Sequence, residues 1–381
     1  MAPSWSAFDV VARALSERLR GCEVSEELGG LVRSRSINWE QVLSLASAQF
    51  VLPAFAAALR DLDLIGSLDE ELGAFLEAVH AANVERNSEI GDELEAAIGV
   101  LNRAGIEPVL LKGAIRLVDE LYPDRGWRML RDIDVLIPAS RWPEVIAAVR
   151  ELGYLDPDRP ENEIRRPGGL VQIDLHDELF SNPKQVGLLP AAEIVDASRS
   201  AVFGNGRVRL PSIEHQLVHL IGHSQIRHHG HACGHIGLRD RLEAAALVNW
   251  GHENVDWQAV HARFMAAKYR RPLLTFLLSL NDRGLCAVPA PARTDPITAL
   301  QLHRVALQAR SITFAHVSSF PGWCVAEVKS QIEERDSGQP RASKNLRRLI
   351  FERGAVCEMA RSLMNRWSAF AGHLGCLVAS W

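Results

Sequence analysis

The chain has 381 residues, 47% of them hydrophobic and 23% charged, which is typical of a globular protein with room for two or three domains. Its formal net charge of −5 argues against a general nucleic-acid-binding protein, which would carry a strongly basic face, although a local basic groove is compatible with it. The sequence contains no apolar run of about 18 residues, so it predicts no membrane-spanning helix and no membrane partner.

The cysteines and the N-terminal segment predict a cytoplasmic location. The six cysteines are scattered and include no C-x-x-C pair, which favours free thiols in a reducing compartment over a disulfide framework. The first residues, MAPSWSAFDVVARALSERLR, mix acidic and basic side chains and lack the apolar core of a secretion signal.

Residues 1–104 are predicted to form an N-terminal helical region. Asn38 with Gln41, and Ser67 with Glu70, have the spacing of helix-capping pairs ahead of amphipathic runs. Gly105 lies where the C-terminal cap of the last of these helices is expected, and a different pattern begins there.

Residues 105–210 are predicted to form a small α/β core. The apolar run IEPVLLKG (106–113) is typical of a strand, and GAIRLVDELYP directly after it has helical spacing. The segment RDIDVLIP (131–138) alternates, with aliphatic side chains on one face and carboxylates on the other. The later segment LVQIDLHDELF alternates in the same way, and VFGNGRVRLP is typical of a β-hairpin.

Residues 211–381 are predicted to form a C-terminal helical domain. The fold class that follows is α+β and mostly α overall, with a small mixed β-sheet core between two helical regions.

Three carboxylates of the core predict a metal site. Asp132 and Asp134 are alternate residues of one strand, so they point the same way with Cα atoms about 6–7 Å apart. Two carboxylates aimed at one point repel unless a cation lies between them, and Mg²⁺ prefers such oxygen ligands together with substrate phosphates. Asp174, on a neighbouring strand, would complete a two-metal site for an in-line displacement.

Basic residues near these carboxylates predict a phosphate site. Lys112 and Gly113 lie where the strand is expected to pass into a helix, which offers free backbone N–H groups and close approach to a phosphate. Arg125, Arg128 and Arg131 lie directly before the aspartates, and their guanidinium groups can bind phosphate oxygens in bidentate fashion.

At these residues the sequence resembles the nucleotidyltransferase superfamily with a DNA polymerase β-like fold. The superfamily signature is a glycine-containing turn after the first strand, an Asp-x-Asp on the next strand and a third Asp later. More narrowly, LLKGAIRLVDELYP, RDIDVLI and IDLHDEL are similar to segments of bacterial uncharacterised nucleotidyltransferase-like proteins. The resemblance covers about residues 40–250 and implies a nucleotidyltransferase core.

The resemblance also implies roles for individual residues. Gly113 matches the turn glycine, and Arg128 matches the family arginine. Asp132 and Asp134 match the metal-binding pair, while Asp174 matches the third carboxylate, which acts as a base or as a ligand of a second metal ion.

The turn itself departs from the superfamily pattern. Lys112-Gly113-Ala114 stands where a Gly-Ser or Gly-Gly turn is usual, so the serine that would contact phosphate is missing. The interval from Gly113 to Asp132 is also longer than the usual signature. Phosphate must therefore be handled differently in this chain.

Histidines are concentrated between His215 and His235, in the segment HQLVHLIGHSQIRHHGHACGH. Residues 215, 219 and 223 share one helical face, so His219 and His223 are candidate cleft residues. A zinc site that includes Cys233 or His235, and simple packing between helices, are the alternatives. His176 follows Asp174 on the same strand face and is a further candidate for contact with substrate or support of a metal ligand.

Together these patterns predict a Mg²⁺- or Mn²⁺-dependent enzyme that transfers NMP from an NTP, with ATP as the expected donor. The acceptor is expected to be a hydroxyl group of a small molecule, a peptide or a protein. Two alternatives use the same site: a catalytically weak module that binds nucleotide or a partner, which the missing serine favours, and a kinase that transfers the γ-phosphoryl group.

Overall fold

The computed structural model describes residues 5–310 except 35, 155–162, 165–166, 181, 252–254, 283–284 and 290–294, together with residue 319. The chain divides into two compact units, Met1–Trp323 and Cys324–Trp381, and all elements given below belong to the first. The part of the predicted C-terminal helical domain after residue 310 lies outside the described residues, residue 319 excepted. The three-part division at residues 104 and 210 stays a prediction.

The N-terminal region is helical, as predicted. Its helices are α1 (Ala7–Leu19), α2 (Glu26–Arg33), α3 (Trp39–Ala48), α4 (Leu52–Asp61) and α5 (Glu70–Arg103). The Asn38 side chain accepts a hydrogen bond of 3.1 Å from the backbone N–H of Gln41, which confirms that capping pair. The Ser67 pair was wrong, because Ser67 ends a 3₁₀ turn and Asp69 is the N-cap of α5.

Six strands form one mixed sheet in the described part of the chain. They are β1 (Val109–Leu111), β2 (Asp132–Leu136), β3 (Glu163–Ile164), β4 (Gln172–His176), β5 (Arg199–Phe203) and β6 (Gly206–Leu210). The spatial order is β3-β4-β2-β1-β6-β5, in which β2 pairs parallel to β4 and antiparallel to β1. The predicted hairpin is the antiparallel pair of β5 and β6. These elements confirm an α+β fold with a small mixed sheet.

Helices also predominate after β2. They are α6 (Trp142–Arg150), α7 (Pro183–Val186), α8 (Ala191–Ala197), α9 (Ile213–Gly222), α10 (Gly230–Cys233), α11 (Leu238–Gly251), α12 (Trp257–Ala266), α13 (Arg270–Asp282) and α14 (Pro296–Arg310). A π-helical turn, His223–Arg227, continues α9.

The two faces of the sheet belong to different apolar clusters. Ile133, Val135 and Ile173 pack in a cluster with residues of α5 and α6. Leu136 packs in another cluster, with residues of α9, α11 and α13. Because side chains alternate along a strand, the aspartates of β2 share the face of Leu136, which the C-terminal helices cover.

The segment after β1 differs from its prediction. The expected α-helix is a six-residue 3₁₀ helix, Lys112–Leu117, and a second 3₁₀ turn, Arg125–Trp127, precedes β2. All five residues from Gly113 to Leu117 are buried, so the segment lacks the solvent-exposed face of an amphipathic helix. Its apolar spacing reflects burial on all sides.

Gly113 is the residue of this segment that the packing constrains most directly. A Cβ atom there would lie 2.7 Å from Leu130 Cδ2 and 3.6 Å from Arg128 Nη2. The absence of a side chain therefore lets the 3₁₀ helix pack against the segment that leads into β2.

We expect Gly113→Ala to lower the free energy of unfolding by about 1–3 kcal/mol, because the added methyl group overpacks a buried contact. Chemical denaturation followed by circular dichroism measures the change. Gly99→Ala is the matched control, since the nearest atom to its Cβ is Arg103 Nη1 at 3.9 Å. In helix α5 that change should stabilise by about 0.8–1 kcal/mol. Equal midpoints for the two variants would contradict the packing explanation.

Candidate active site

The pairing of β2 with β4 brings the predicted carboxylates together. Asp134 lies directly opposite Asp174, Asp132 lies opposite Gln172, and Leu136 lies opposite His176. In a parallel pair, side chains of directly opposed residues lie on the same face of the sheet. Asp174 therefore lies on the face of Asp132 and Asp134, as the sequence predicted.

Three side chains of this face form a group with the spacing of metal ligands. One ligand atom from each of Asp134, Asp174 and His176 lies within 4.8 Å of the other two. No other group of this kind is found among the residues that the structure describes, and Asp132 is not a member. The structure thus gathers two of the three predicted metal ligands with a histidine, and the ligand role of Asp132 stays a prediction.

Asp134 is the most buried member of the group, with a side chain only 1% exposed. Its Oδ1 accepts hydrogen bonds from Lys112 Nζ at 2.6 Å and from His176 Nε2 at 2.7 Å. Burial alone raises the pKa of Asp134, but the His176 hydrogen bond and the charge of Lys112 outweigh burial and hold that pKa well below its usual range. Asp134 is consequently ionised throughout the physiological pH range.

Lys112 reaches Asp134 from an unusual backbone position. It follows β1 directly and has a φ of 48°, in the left-handed region that favours glycine. Such a conformation in a residue with a long side chain costs on the order of 1–3 kcal/mol and is found preferentially at functional sites. The side chain is 25% exposed, so the ammonium group has access to solvent as well as to Asp134.

The predicted phosphate-binding arginines have different surroundings. The Arg128 side chain is 11% exposed, and its Nε lies 3.1 Å from Glu243 Oε2. Arg116 Nε lies 3.4 Å from Glu243 Oε1. Arg131 is exposed, and its guanidinium carbon lies 5.1 Å from the ring centre of Phe50. Arg128 thus has a fixed position beside Gly113, whereas Arg131 lies at the surface next to Asp132.

Glu243 is a buried carboxylate of α11 that pairs with two arginines near the site. Burial raises its pKa, but the charges of Arg128 and Arg116 more than compensate, so the net pKa is lowered. Arg116 also forms an ion pair of 2.6 Å with Asp119 and donates a hydrogen bond to Gln216. This buried network joins α11 and α9 to both segments that flank the site.

Polar residues of α5 position the segment before β2, and the sequence analysis missed them. Asn87 Nδ2 donates hydrogen bonds of 2.6 Å to the carbonyl oxygens of Arg125 and Arg128. Asn83 Nδ2 donates one of 2.7 Å to the carbonyl of Gly126. A stripe of buried polar residues, His80, Asn83 and Asn87, at the spacing of one helical face was the available signal.

The predicted cleft histidines form a contiguous row. The ring centroids of His219 and His223 are 5.7 Å apart, and those of His223 and His228 are 4.3 Å apart. Burial, helped by the charge of Lys112, lowers the pKa of His219 to about 3, so this ring is neutral at physiological pH. The row begins beside Lys112 and Asp134, with which His219 interacts electrostatically, but its contact with substrate stays a prediction.

Within the described ranges, the segment from His215 to His235 contributes no group of side chains with the spacing of a zinc site. None of the histidines or cysteines between His215 and His235 belongs to the metal-ligand group identified there. His215 lies instead 3.5 Å from Glu193, which also pairs with Arg263. Cys22, Cys233 and Cys286 are free thiols, in agreement with the expectation for this part of the chain.

Comparison with known proteins assigns the chain to a class. The profile of a family described as uncharacterised nucleotidyltransferase matches residues 35–283, which is more than half of the chain. The protein therefore belongs to this nucleotidyltransferase family, as the sequence motifs predicted. No curated protein and no solved structure gives a significant match. No helix in the described residues has both the length and the apolar character needed to cross a bilayer.

The buried position of His219 predicts a pH-dependent stability. The pKa of His219 is about 3 in the folded chain and near 6.5 when unfolded. Below pH 6.5 the unfolded state therefore binds more protons, and folding stability decreases as the pH is lowered. Between pH 7.5 and 5.5 the loss due to His219 should be about 1.4 kcal/mol.

His219→Gln should remove that part of the pH dependence in denaturation curves measured at the two pH values. Phe180→Leu is the control, because it removes an aromatic ring next to His219 without removing a titratable group. The centroids of the two rings are 6.1 Å apart. An unchanged pH dependence in His219→Gln would show that this histidine is not held neutral.

Glu243→Ala should lower the free energy of unfolding by about 3 kcal/mol, because it removes the carboxylate that pairs with Arg128 and leaves Asp119 as the remaining ion-pair partner of Arg116. Thermal and chemical unfolding both measure the effect. Glu193→Ala breaks an ion pair with Arg263 at a carboxylate that is 41% exposed, and should cost at most about 1 kcal/mol. Similar costs for the two variants would argue against a buried charge network at Glu243.

Proposed function

We propose that the protein transfers NMP from an NTP, with ATP as the donor, to a hydroxyl group of a small-molecule, peptide or protein acceptor. The observation that carries the proposal is the direct pairing of Asp134 with Asp174 on one sheet face, beside Lys112, in a chain of a nucleotidyltransferase family. We propose that this reaction takes place in the cytoplasm.

The triphosphate is held by the basic residues directly after β1 and before β2. Lys112 supplies a partly exposed ammonium group, and Arg128 supplies a guanidinium group that Glu243 orients. Arg131 adds a positive charge at the rim of the site. Gly113 is explained by its packing against Leu130, and its predicted contact with phosphate is part of the proposal.

The carboxylates are the proposed ligands of a divalent cation, Mg²⁺ or Mn²⁺. The oxygen atoms of Asp134 and Asp174 fit such an ion, and Asp132 is the third proposed ligand. When bound, the cation neutralises phosphate charge and stabilises the attacking and leaving oxygens. Asp174, which is partly exposed, accepts the proton of the acceptor hydroxyl or contributes to metal binding, while His176, His219 and His223 line the acceptor side.

Most of the rate enhancement in this scheme comes from positioning and charge neutralisation. The buried network around Glu243 and the hydrogen bonds from α5 fix the basic residues before substrate arrives. Preorganised charges of this kind act more strongly in a water-poor site than in solution.

Asp132→Asn combined with Asp134→Asn should reduce metal-dependent pyrophosphate release from NTP by about 100-fold or more, because the carboxylate charges that hold the cation are lost. Pyrophosphate release is measured with each NTP and a panel of hydroxyl acceptors. The control is Asp63→Asn, an exposed residue with a φ of 55° that Asn tolerates. Unchanged turnover in the double variant would refute the proposal.

The same assay separates the two alternatives. Binding of a non-hydrolysable ATP analogue without pyrophosphate release, over the whole panel, would favour a binding module; Ala114 in place of a turn serine is the feature that favours it. Mass spectrometry of the product distinguishes addition of NMP from addition of a single phosphate, which a kinase would give.

A further inference from the structure

We propose that Asp134, Asp174 and His176 form a mixed oxygen–nitrogen site for one divalent transition-metal ion, which binds Mn²⁺ in preference to Mg²⁺. The inference deepens the proposed function, on which it rests for the purpose of the ion. It differs from the sequence-based ligand set because it includes His176 and does not need Asp132.

The strand register explains why these three side chains meet. Asp134 and Asp174 are directly opposed, and His176 follows Asp174 by two residues on the same face of β4. His176 Nε2 already lies 2.7 Å from Asp134 Oδ1, so this nitrogen points into the group, and it would bind an ion as the neutral tautomer with its proton on Nδ1. Ligand atoms around one ion lie within about 4.2 Å of each other, because each bond is about 2.1 Å long. A separation of at most 4.8 Å therefore needs only a slight closure.

The chemistry of the donor atoms selects the ion. Mg²⁺ takes oxygen ligands almost exclusively and gives up its water reluctantly. Imidazole nitrogen suits transition-metal ions, and Mn²⁺ also accepts carboxylate oxygen. A group of two carboxylates and one imidazole, with a carboxylate that is already ionised at 1% exposure, therefore favours Mn²⁺ over Mg²⁺.

Lys112 determines how an ion would gain access to this group. Its Nζ lies 2.6 Å from the same Asp134 oxygen that contacts His176, so it neutralises that carboxylate without an ion. An incoming cation must compete with Lys112 for this oxygen. Since the lysine side chain is 25% exposed, it is free to turn toward a triphosphate once the ion has replaced it. Loss of Lys112 should thus strengthen metal binding in the absence of nucleotide.

The test is a Mn²⁺ titration of the full chain without nucleotide, followed by electron paramagnetic resonance. We expect one bound Mn²⁺ per chain, which Mg²⁺ displaces only in an excess on the order of tenfold or more. Pulsed spectra of the bound ion should show coupling to a directly coordinated imidazole nitrogen. Equal affinity for the two ions, or no nitrogen coupling, would overturn the inference.

Three variants make the result specific, each checked for folding by circular dichroism. His176→Gln should abolish the nitrogen coupling and weaken Mn²⁺ binding about 10- to 100-fold, with little effect on Mg²⁺. Lys112→Met should tighten Mn²⁺ binding, whereas a loss of structure at the site would weaken it. His303→Gln, an exposed residue of α14, should leave the titration and the spectrum unchanged. Nitrogen coupling that persists in His176→Gln would refute His176 as a ligand.

The outcome can be told apart from the test of the proposed function. Carboxylate-dependent pyrophosphate release with Mg²⁺, combined with a spectrum that lacks nitrogen coupling, would refute this inference and leave nucleotidyl transfer standing. Nitrogen-coupled Mn²⁺ without nucleotide turnover over the acceptor panel would establish the metal site and refute the proposed reaction.

Discussion

The burial of the Asp134 carboxylate constrains the rest of the site. An ionised carboxylate at 1% exposure is very costly unless positive charge and hydrogen-bond donors surround it. Lys112 approaches from the end of β1 and His176 from the end of β4, and both donate to the same oxygen. These strands lie on either side of β2, so the order β4-β2-β1 in the centre of the sheet satisfies the charge.

The helical regions on both sides of the sheet complete this arrangement. Helix α5 holds the backbone before β2 through Asn83 and Asn87, while α11 contributes Glu243 to fix Arg128 and Arg116. The family profile also runs from residue 35 to residue 283 without regard to the boundaries at 104 and 210. The site therefore depends on helices from both sides of the sheet in the sequence, and these helices position its charges as directly as the sheet does.

The face of each strand was predictable because alternation with a period of two needs only local sequence. That pattern placed Asp132, Asp134 and Asp174 correctly on one side, and the family motifs gave the strands their identity. The 3₁₀ helix after β1 was not predictable, since full burial and helical amphipathicity give similar apolar spacing. The partners of Glu243 and Asn87 were not predictable because they lie far away in the sequence, and local patterns carry no information on such contacts.

Lys112 shows how this site balances charge against backbone strain. Glycine would relieve the left-handed conformation at φ 48°, but it would remove the ammonium group that pairs with Asp134 and leave the hydrogen bond from His176. The strain is therefore the cost of a cation that is present before any ion or nucleotide binds. In the proposed metal site a divalent ion and the ammonium group would compete for one oxygen, so binding of the ion would release Lys112 toward the proposed triphosphate. The same side chain thus neutralises the buried Asp134 carboxylate and would, under the proposed function, connect metal binding to nucleotide binding.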